Sequence, residues 1–334
     1  MTTVQDRASQ RSFDAASQFM LRVAEKQGLE TAWDRLEAQL PQCGYGELGV
    51  CCRNCNMGPC RIEPFGEGPT KGVCGATADV IVARNLLRMI AAGAAAHSDH
   101  GRDIAHTLLL VAEGRGNGYE IKDEAKLKAL AAEYGIETEG RTKEEIALDL
   151  ARAVYAEFGK QEGPIQFTRR APEKRVTLWQ KLGIDPRGVD REIVEAMHRT
   201  HIGVDNDYVN LTLHGLRTSI SDGWGGSMIA TELSDVLFGT PEPIKAMANL
   251  GVLKADEVNV IVHGHEPTLS EMIVAAANDP ELLDLAKGYG AQGINVAGIC
   301  CTGNEVLMRH GIPIAGNFLQ QELAVITGAV EAMI

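Results

Sequence analysis

The chain has 334 residues, 45% hydrophobic and 23% charged, enough for a sizeable core and, at roughly 150 residues each, for about two domains. Its 45 Asp and Glu against 32 Lys and Arg leave a net charge of -13, which excludes a uniformly basic face and makes nucleic acid an unexpected partner. The N-terminus is polar, without the apolar centre of a signal peptide, and no run approaches the roughly 20 apolar residues needed to cross a bilayer; a soluble, cytoplasmic protein without a membrane span is expected.

Residues 14–40 repeat apolar positions at helical spacing through Phe19, Met20, Val23, Leu29, Trp33 and Leu36, with a break at Gly28. Two short helices are predicted, ended by Pro41 and Gly44. Residues 42–74 show no periodicity and hold six of the eight cysteines among Gly, Pro and Asn, so apolar packing alone cannot fix their shape. The Ala- and Leu-rich stretch 76–114 predicts one long or once-broken helix. Thr142 and Glu145 stand in capping-box spacing before an amphipathic run that ends at Phe158. Further helical patterns fall at 121–134, 188–200 and 241–249.

The pattern changes at VNVIVHGH (258–265), a β-branched run followed by a helical stretch, and GINVAGICC (293–301) repeats that arrangement. Two strand-then-helix units imply a parallel sheet. IPIAGN (312–317) offers a third strand. The expected fold is a mainly α N-terminal domain, 1–240, carrying a cysteine loop at 43–74, followed by the start of a Rossmann-like α/β domain with a parallel sheet, 241–334.

Within the loop the cysteines fall at 43, 51, 52, 55, 60 and 74. Cys52 and Cys55 share one tight turn, Gly58 and Pro59 turn the chain back before Cys60, and Cys74 arrives from a second stretch of loop. Four thiolates so arranged fit an iron–sulfur cubane or a tetrahedral zinc, and the uneven spacing favours the cubane because zinc ribbons usually pair two separated C-x2-C knuckles. Disulfides or a structural zinc are the alternatives. Cys43 and Cys51 remain, too few for a cluster in one chain; a twofold axis would let two chains supply four ligands to one shared cluster, whereas the plain reading is two free cysteines.

At these residues a resemblance enters. The loop CGYGELGVCCRNCNMGPCRIEPFGEGPTKGVCGATADVIVARN, followed by HGHEP and GICCTGNEVLMRHGIP, closely resembles the catalytic subunit of nickel–iron carbon monoxide dehydrogenases, over essentially the whole chain but only the N-terminal half of that family. The resemblance implies reversible oxidation of carbon monoxide with water to carbon dioxide, two protons and two electrons. By the same resemblance Cys52, Cys55, Cys60 and Cys74 hold a [4Fe-4S] cluster inside each chain, and Cys43 and Cys51 bind a cluster bridging a homodimer. His265 and Cys301 are then iron ligands of the nickel–iron–sulfur active-site cluster, whose remaining ligands, those to nickel among them, lie in the half not represented. His263 and Cys300 are the neighbouring competitors, and for His265 alone the plain reading is a hydrogen-bonded core histidine.

The family also carries a histidine ladder that conducts protons; here it maps onto His97, His100 and His106, with Asp103 in place of the third rung. A carboxylate passes protons at a lower pKa than imidazole, so the relay would be uneven. A solvated polar helix face is the alternative. The implied partners are a second copy of the chain, a ferredoxin-like electron acceptor and, as a further assembly, an acetyl-CoA synthase subunit. Two other functions compete: a truncated, non-catalytic iron–sulfur dimer that carries or senses electrons, and a relative of the hybrid-cluster proteins, against which Cys43, Cys51 and GICCTGNE argue.

Overall fold

The computed structural model describes residues 6–63 and 65–334, in two units: Gln42–Gly239, and the chain up to Pro41 together with Thr240–Ile334. The first unit is built around a single unbroken helix, Ala78–Ala112, of 35 residues, about 50 Å long. Helices Lys143–Gly159, Val189–Arg199, Tyr208–Ser221 and Ser227–Phe238 pack on it. Ile104 and Leu108 of the long helix meet Leu150, Val154, Leu233 and Phe238 in a fully buried core. The predicted capping box is formed: Glu145 N–H donates to Thr142 Oγ1 at 3.2 Å, and Thr142 N–H to Glu145 Oε2 at 3.0 Å.

The long helix corrects one expectation. By length and composition it is apolar enough to cross a membrane, although no such run was expected. Its surroundings give the apolarity another use, because it is the central helix of a bundle and must offer apolar contacts on several sides at once.

In the second unit, strands β3 (Val258–Gly264), β4 (Ile294–Ile299), β5 (Ile314–Gly316) and β6 (Val330–Met333) form one parallel sheet; β1 (Cys51–Cys52) and β2 (Cys60–Arg61) belong to the cysteine loop of the other unit. The sheet order is β5-β4-β3-β6. Side chains alternate between its faces. Ile261 sits in a core with Ala297, Ile299 and Leu323, whereas Val262 meets Val296, Val274 and Val306. Helices Pro267–Ala277 and Cys300–His310 supply Val274 and Val306.

The N-terminal helices Ala15–Gln27 and Ala32–Ala38 are those predicted, with Gly28 left-handed at φ +67° between them. They group with the sheet and not with the helical bundle, unlike the expected division at 240. Met20 and Leu21 are buried with Ile261 and Leu323, and Glu322 accepts from Ala32 N–H at 2.7 Å and pairs with Arg35. Sequence order hides this because the two halves of the contact lie some 290 residues apart.

The helix expected at 241–249 is absent, and that segment carries no helix or strand. Pro241 and Pro243 lack the N–H groups a helix needs and push their preceding residues away from α geometry. Instead Ala248 bridges Ile314, and Ile314 N–H donates to Met247 O at 3.1 Å, extending the β5 edge. The closing apolar stretch contributes β6, a fourth strand that the sequence pattern did not resolve.

Candidate metal centres

The loop's first scaffold is the two-residue ladder of β1 and β2, in which Cys52 pairs with Cys60. Asn85 of the long helix donates to Gly49 O and Cys51 O, at 2.9 and 3.1 Å, and so ties the ladder to the bundle. Glycine is required at Gly58, where a Cβ would lie 2.9 Å from Cys60 N. Cys52, Cys55, Cys60 and Cys74 line one cavity together with Asn54 and Arg84. Cys43, exposed at the N-cap of the short helix Gly44–Glu47, and half-buried Cys51 do not line it. None of the eight cysteines is paired in a disulfide.

Donors surround this cavity. Val73 N–H points to Cys60 Sγ at 3.4 Å, and Arg84 Nη1 to Cys74 Sγ at 3.5 Å. Burial pushes the Cys74 thiol up, but Arg84 and nearby backbone N–H groups outweigh it and hold the thiol below its usual range. Among the described residues, buried Nδ2 of Asn54 and Nε of Arg84 have no hydrogen-bond partner. Four thiols around a cavity whose walls hold unused donors fit an anionic iron–sulfur cubane, which binds four cysteines through separate irons and accepts N–H bonds at its sulfurs. A single zinc would need thiolates about 3.8 Å apart, given a 2.3 Å bond and tetrahedral angles. Among the described residues no three His, Cys, Asp or Glu side chains converge on one ion position.

The second constellation lies at the C-terminal ends of β3 and β4. Their parallel register runs from Val258 opposite Ile294 to His263 opposite Ile299, and a further bridge joins Gly264 to Cys300. His265 and Cys301, both exposed, each stand one residue beyond that bridge. Thr302 Oγ1 donates to Glu266 O at 3.3 Å, linking the two connections, and Glu266 caps the helix Pro267–Ala277 by accepting from Thr268 N–H at 3.1 Å. A pocket lined by His263, His265, Glu266, Thr302 and Ile334 opens here, where β3 is flanked by β4 on one side and by β6 on the other. Reversal of strand order at such a point is where open parallel sheets bind ligands.

Cys301 owes its place to two glycines. A Cβ on Gly298 would lie 2.3 Å from Gly303 Cα, so strand β4 and the first turn of the helix after it touch backbone to backbone. Cys300 takes the strained turn between them at φ +63°. Its Sγ lies 3.9 Å from His263 Nε2, and burial, then the neighbouring Cys301, raise its thiol pKa.

The ladder residues share the long helix but not one environment. His97 Nδ1 lies 2.7 Å from Asp222 Oδ1, His100 is buried, and Asp103 and His106 are exposed, His106 standing edge-on to Tyr155 at 6.5 Å between ring centroids. Steps of three wind around a helix, so this divergence follows from the spacing. Asp222 opens a π-helical turn, Asp222–Gly226. A Cβ on Gly226 would meet His97 C at 2.8 Å, so the turn seats its backbone directly on the helix at the first rung.

Sequence reasoning missed Arg84, Asn54, Asp222 and the Gly298–Gly303 contact. Only Arg84 carried a legible signal, as the lone cation in the mostly apolar run DVIVARNLL.

Comparison with known proteins gives the family. The Prismane/CO dehydrogenase family model matches residues 50–334. The chain belongs to that family. It is 74% identical over 327 residues to carbon monoxide dehydrogenase 1 of Methanosarcina mazei, covering 98% of this chain and 52% of the relative. Among solved structures, a nickel-free carbon monoxide dehydrogenase from Thermococcus sp. AM4 superposes with a TM-score of 0.95 at 61% identity, covering 98% of this chain and 52% of that one. An acetyl-CoA synthase/carbon monoxide dehydrogenase described with NiZn[Fe4S4] and NiNi[Fe4S4] clusters gives a TM-score of 0.93 at 44% identity, covering 100% and 50%. The chain thus spans about half the length of the relatives it matches.

Proposed function

We propose that this chain forms the N-terminal portion of a nickel–iron carbon monoxide dehydrogenase, which converts carbon monoxide and water into carbon dioxide, two protons and two electrons. The observation that carries the reading is the β3–β4 register, which sets His265 and Cys301 at neighbouring positions beyond the sheet. There they would hold an iron of the active-site cluster. That cluster, when bound, supplies the redox chemistry and the activation of carbon monoxide and water. Cys52, Cys55, Cys60 and Cys74 would hold a [4Fe-4S] cluster, and Cys43 and Cys51 would meet their counterparts on a second copy around a shared one.

The β5-β4-β3-β6 order, which is 3-2-1-4 counted along the chain, supports the Rossmann-like description. Asp222, against Nδ1, orients the His97 ring at the first rung of the ladder. A homodimer in the cytoplasm, with a ferredoxin-like acceptor, completes the reading. The kinship with an acetyl-CoA synthase/carbon monoxide dehydrogenase supports an acetyl-CoA synthase subunit as a further partner. A second reading is an iron–sulfur dimer without catalysis, which needs the six loop cysteines and no nickel; Cys301 does not line the pocket that His265 lines.

Nickel analysis and carbon monoxide oxidation separate the two. In one polypeptide with the C-terminal half of a relative, the chain is expected to bind nickel and turn over, and His265→Ala or Cys301→Ala to abolish turnover while the loop clusters remain. Iron without nickel in that polypeptide, or full activity in both variants, would contradict the assignment.

A further inference from the structure

We propose that Arg84 raises the reduction potential of the cluster held by Cys52, Cys55, Cys60 and Cys74, by placing a fixed, buried cation against the Cys74 ligand. The inference rests on the reading that these four cysteines hold an iron–sulfur cluster. Arg84 lies in the second turn of the long helix and is 1% exposed. Among the described residues no carboxylate pairs with it. Its Nη2 donates to the backbone oxygen of Asp205 at 2.7 Å and to Asn206 Oδ1 at 2.8 Å, both neutral acceptors, while its Nη1 reaches Cys74 Sγ at 3.5 Å. The carboxylate of Asp205 is engaged elsewhere, 3.1 Å from Arg199.

A buried guanidinium with no counter-ion is costly, and natural interiors keep one where an anion balances it. Among the described residues Cys74 supplies the sulfur within hydrogen-bond reach of Arg84, so the balancing charge belongs to the thiolate and the cluster behind it. The neutral clamp matters as much as the charge. Asp205 O and Asn206 Oδ1 hold the fork so that Nη1 faces Cys74, and they do so without neutralising it. Among the described residues, buried Nε of Arg84 and Nδ2 of Asn54 have no hydrogen-bond partner, so donors remain for the cluster's sulfurs.

Reduction adds one electron to the cluster, delivered in the experiment by a chemical reductant such as dithionite, and breaks no bond. The reduced cluster is more negative by one charge, so a cation fixed in a low-dielectric wall stabilises it more than the oxidised form. Removing that cation leaves the oxidised form favoured.

The test is an anaerobic redox titration followed by electron paramagnetic resonance, read at the signal that Cys60→Ser abolishes. Arg84→Gln is expected to move that midpoint to a more negative potential, and Arg84→Lys, which keeps the charge, to recover most of the shift. An intact signal with an unchanged midpoint in Arg84→Gln overturns the proposal. Should Arg84→Gln fail to load its cluster, Asn206→Ala decides, because it keeps the arginine and loosens its clamp: a more negative midpoint supports the proposal and an unchanged one overturns it. Absence of any cysteine-dependent iron–sulfur signal in the unaltered protein would instead sink the reading of the four cysteines.

Discussion

Gly264 and Cys300 form the outermost parallel bridge between β3 and β4. Everything assigned to the active-site end of the sheet depends on that pairing, because the residues that follow it are His265 and Cys301. A slip of one residue would turn each side chain to the opposite face of its strand.

The close approach of Gly298 and Gly303 fixes where that bridge can form. Gly303→Ala would put a Cβ 2.7 Å from Gly298 C, and neither backbone can yield without shifting the helix that begins at Cys300. The expected cost is about 2 kcal/mol of stability, seen as a lower midpoint in urea unfolding. A variant as stable as the parent would show that the contact does not constrain this turn.

The cysteine assignment divides cleanly by cavity. Because Cys43 and Cys51 lie outside the cavity lined by the other four, the Cys43→Ser, Cys51→Ser double variant is expected to lose the shared cluster and keep the internal one. Iron and labile sulfide should both fall, and dimerisation should weaken in analytical ultracentrifugation. Unchanged iron would remove the bridging assignment.

Much of this was legible in the sequence, for identifiable reasons. Thr142 and Glu145 announced a helix start through local chemistry, and the two β-branched runs announced parallel strands. The fourth strand and the docking of the N-terminal helices were not legible, because Val330–Met333 is short and pairs with a strand some 70 residues earlier, and the Glu322 contacts span the whole chain. At the candidate metal centres the cysteine spacing pointed to the four thiols that line one cavity, and Arg84 stood out as a lone cation, whereas Asp222 and the paired glycines act through tertiary neighbours that no local pattern encodes.

Acid stability offers a test of the buried charge network. Burial pushes the Glu192 carboxyl up, but His214 and Arg187, with Arg217 at 2.7 Å, outweigh it and hold the group well below the usual carboxylate range. A folded-state pKa below the unfolded one contributes stability that is present above the ordinary value of 4.5 and is lost as the pH falls toward the folded value. Glu192→Gln is expected to cost about 3 kcal/mol at neutral pH and to lose less stability than the parent on acidification. Identical acid slopes for the two would place the pH dependence elsewhere.

Proton transfer should separate from metal binding. His97→Ala, and Asp222→Asn through its contact with the His97 ring, are expected to slow turnover in the full-length polypeptide about a hundredfold with nickel and iron retained. Loss of metal in either variant would make the pair a structural support of the site.

The most direct test addresses the four-cysteine cavity itself, by X-ray absorption at the iron and zinc edges on anaerobically purified Cys43→Ser, Cys51→Ser protein. The predicted result is sulfur-ligated iron with iron–iron scattering, absent when Cys60→Ser is added. A colourless protein with zinc held by four sulfurs would contradict the account.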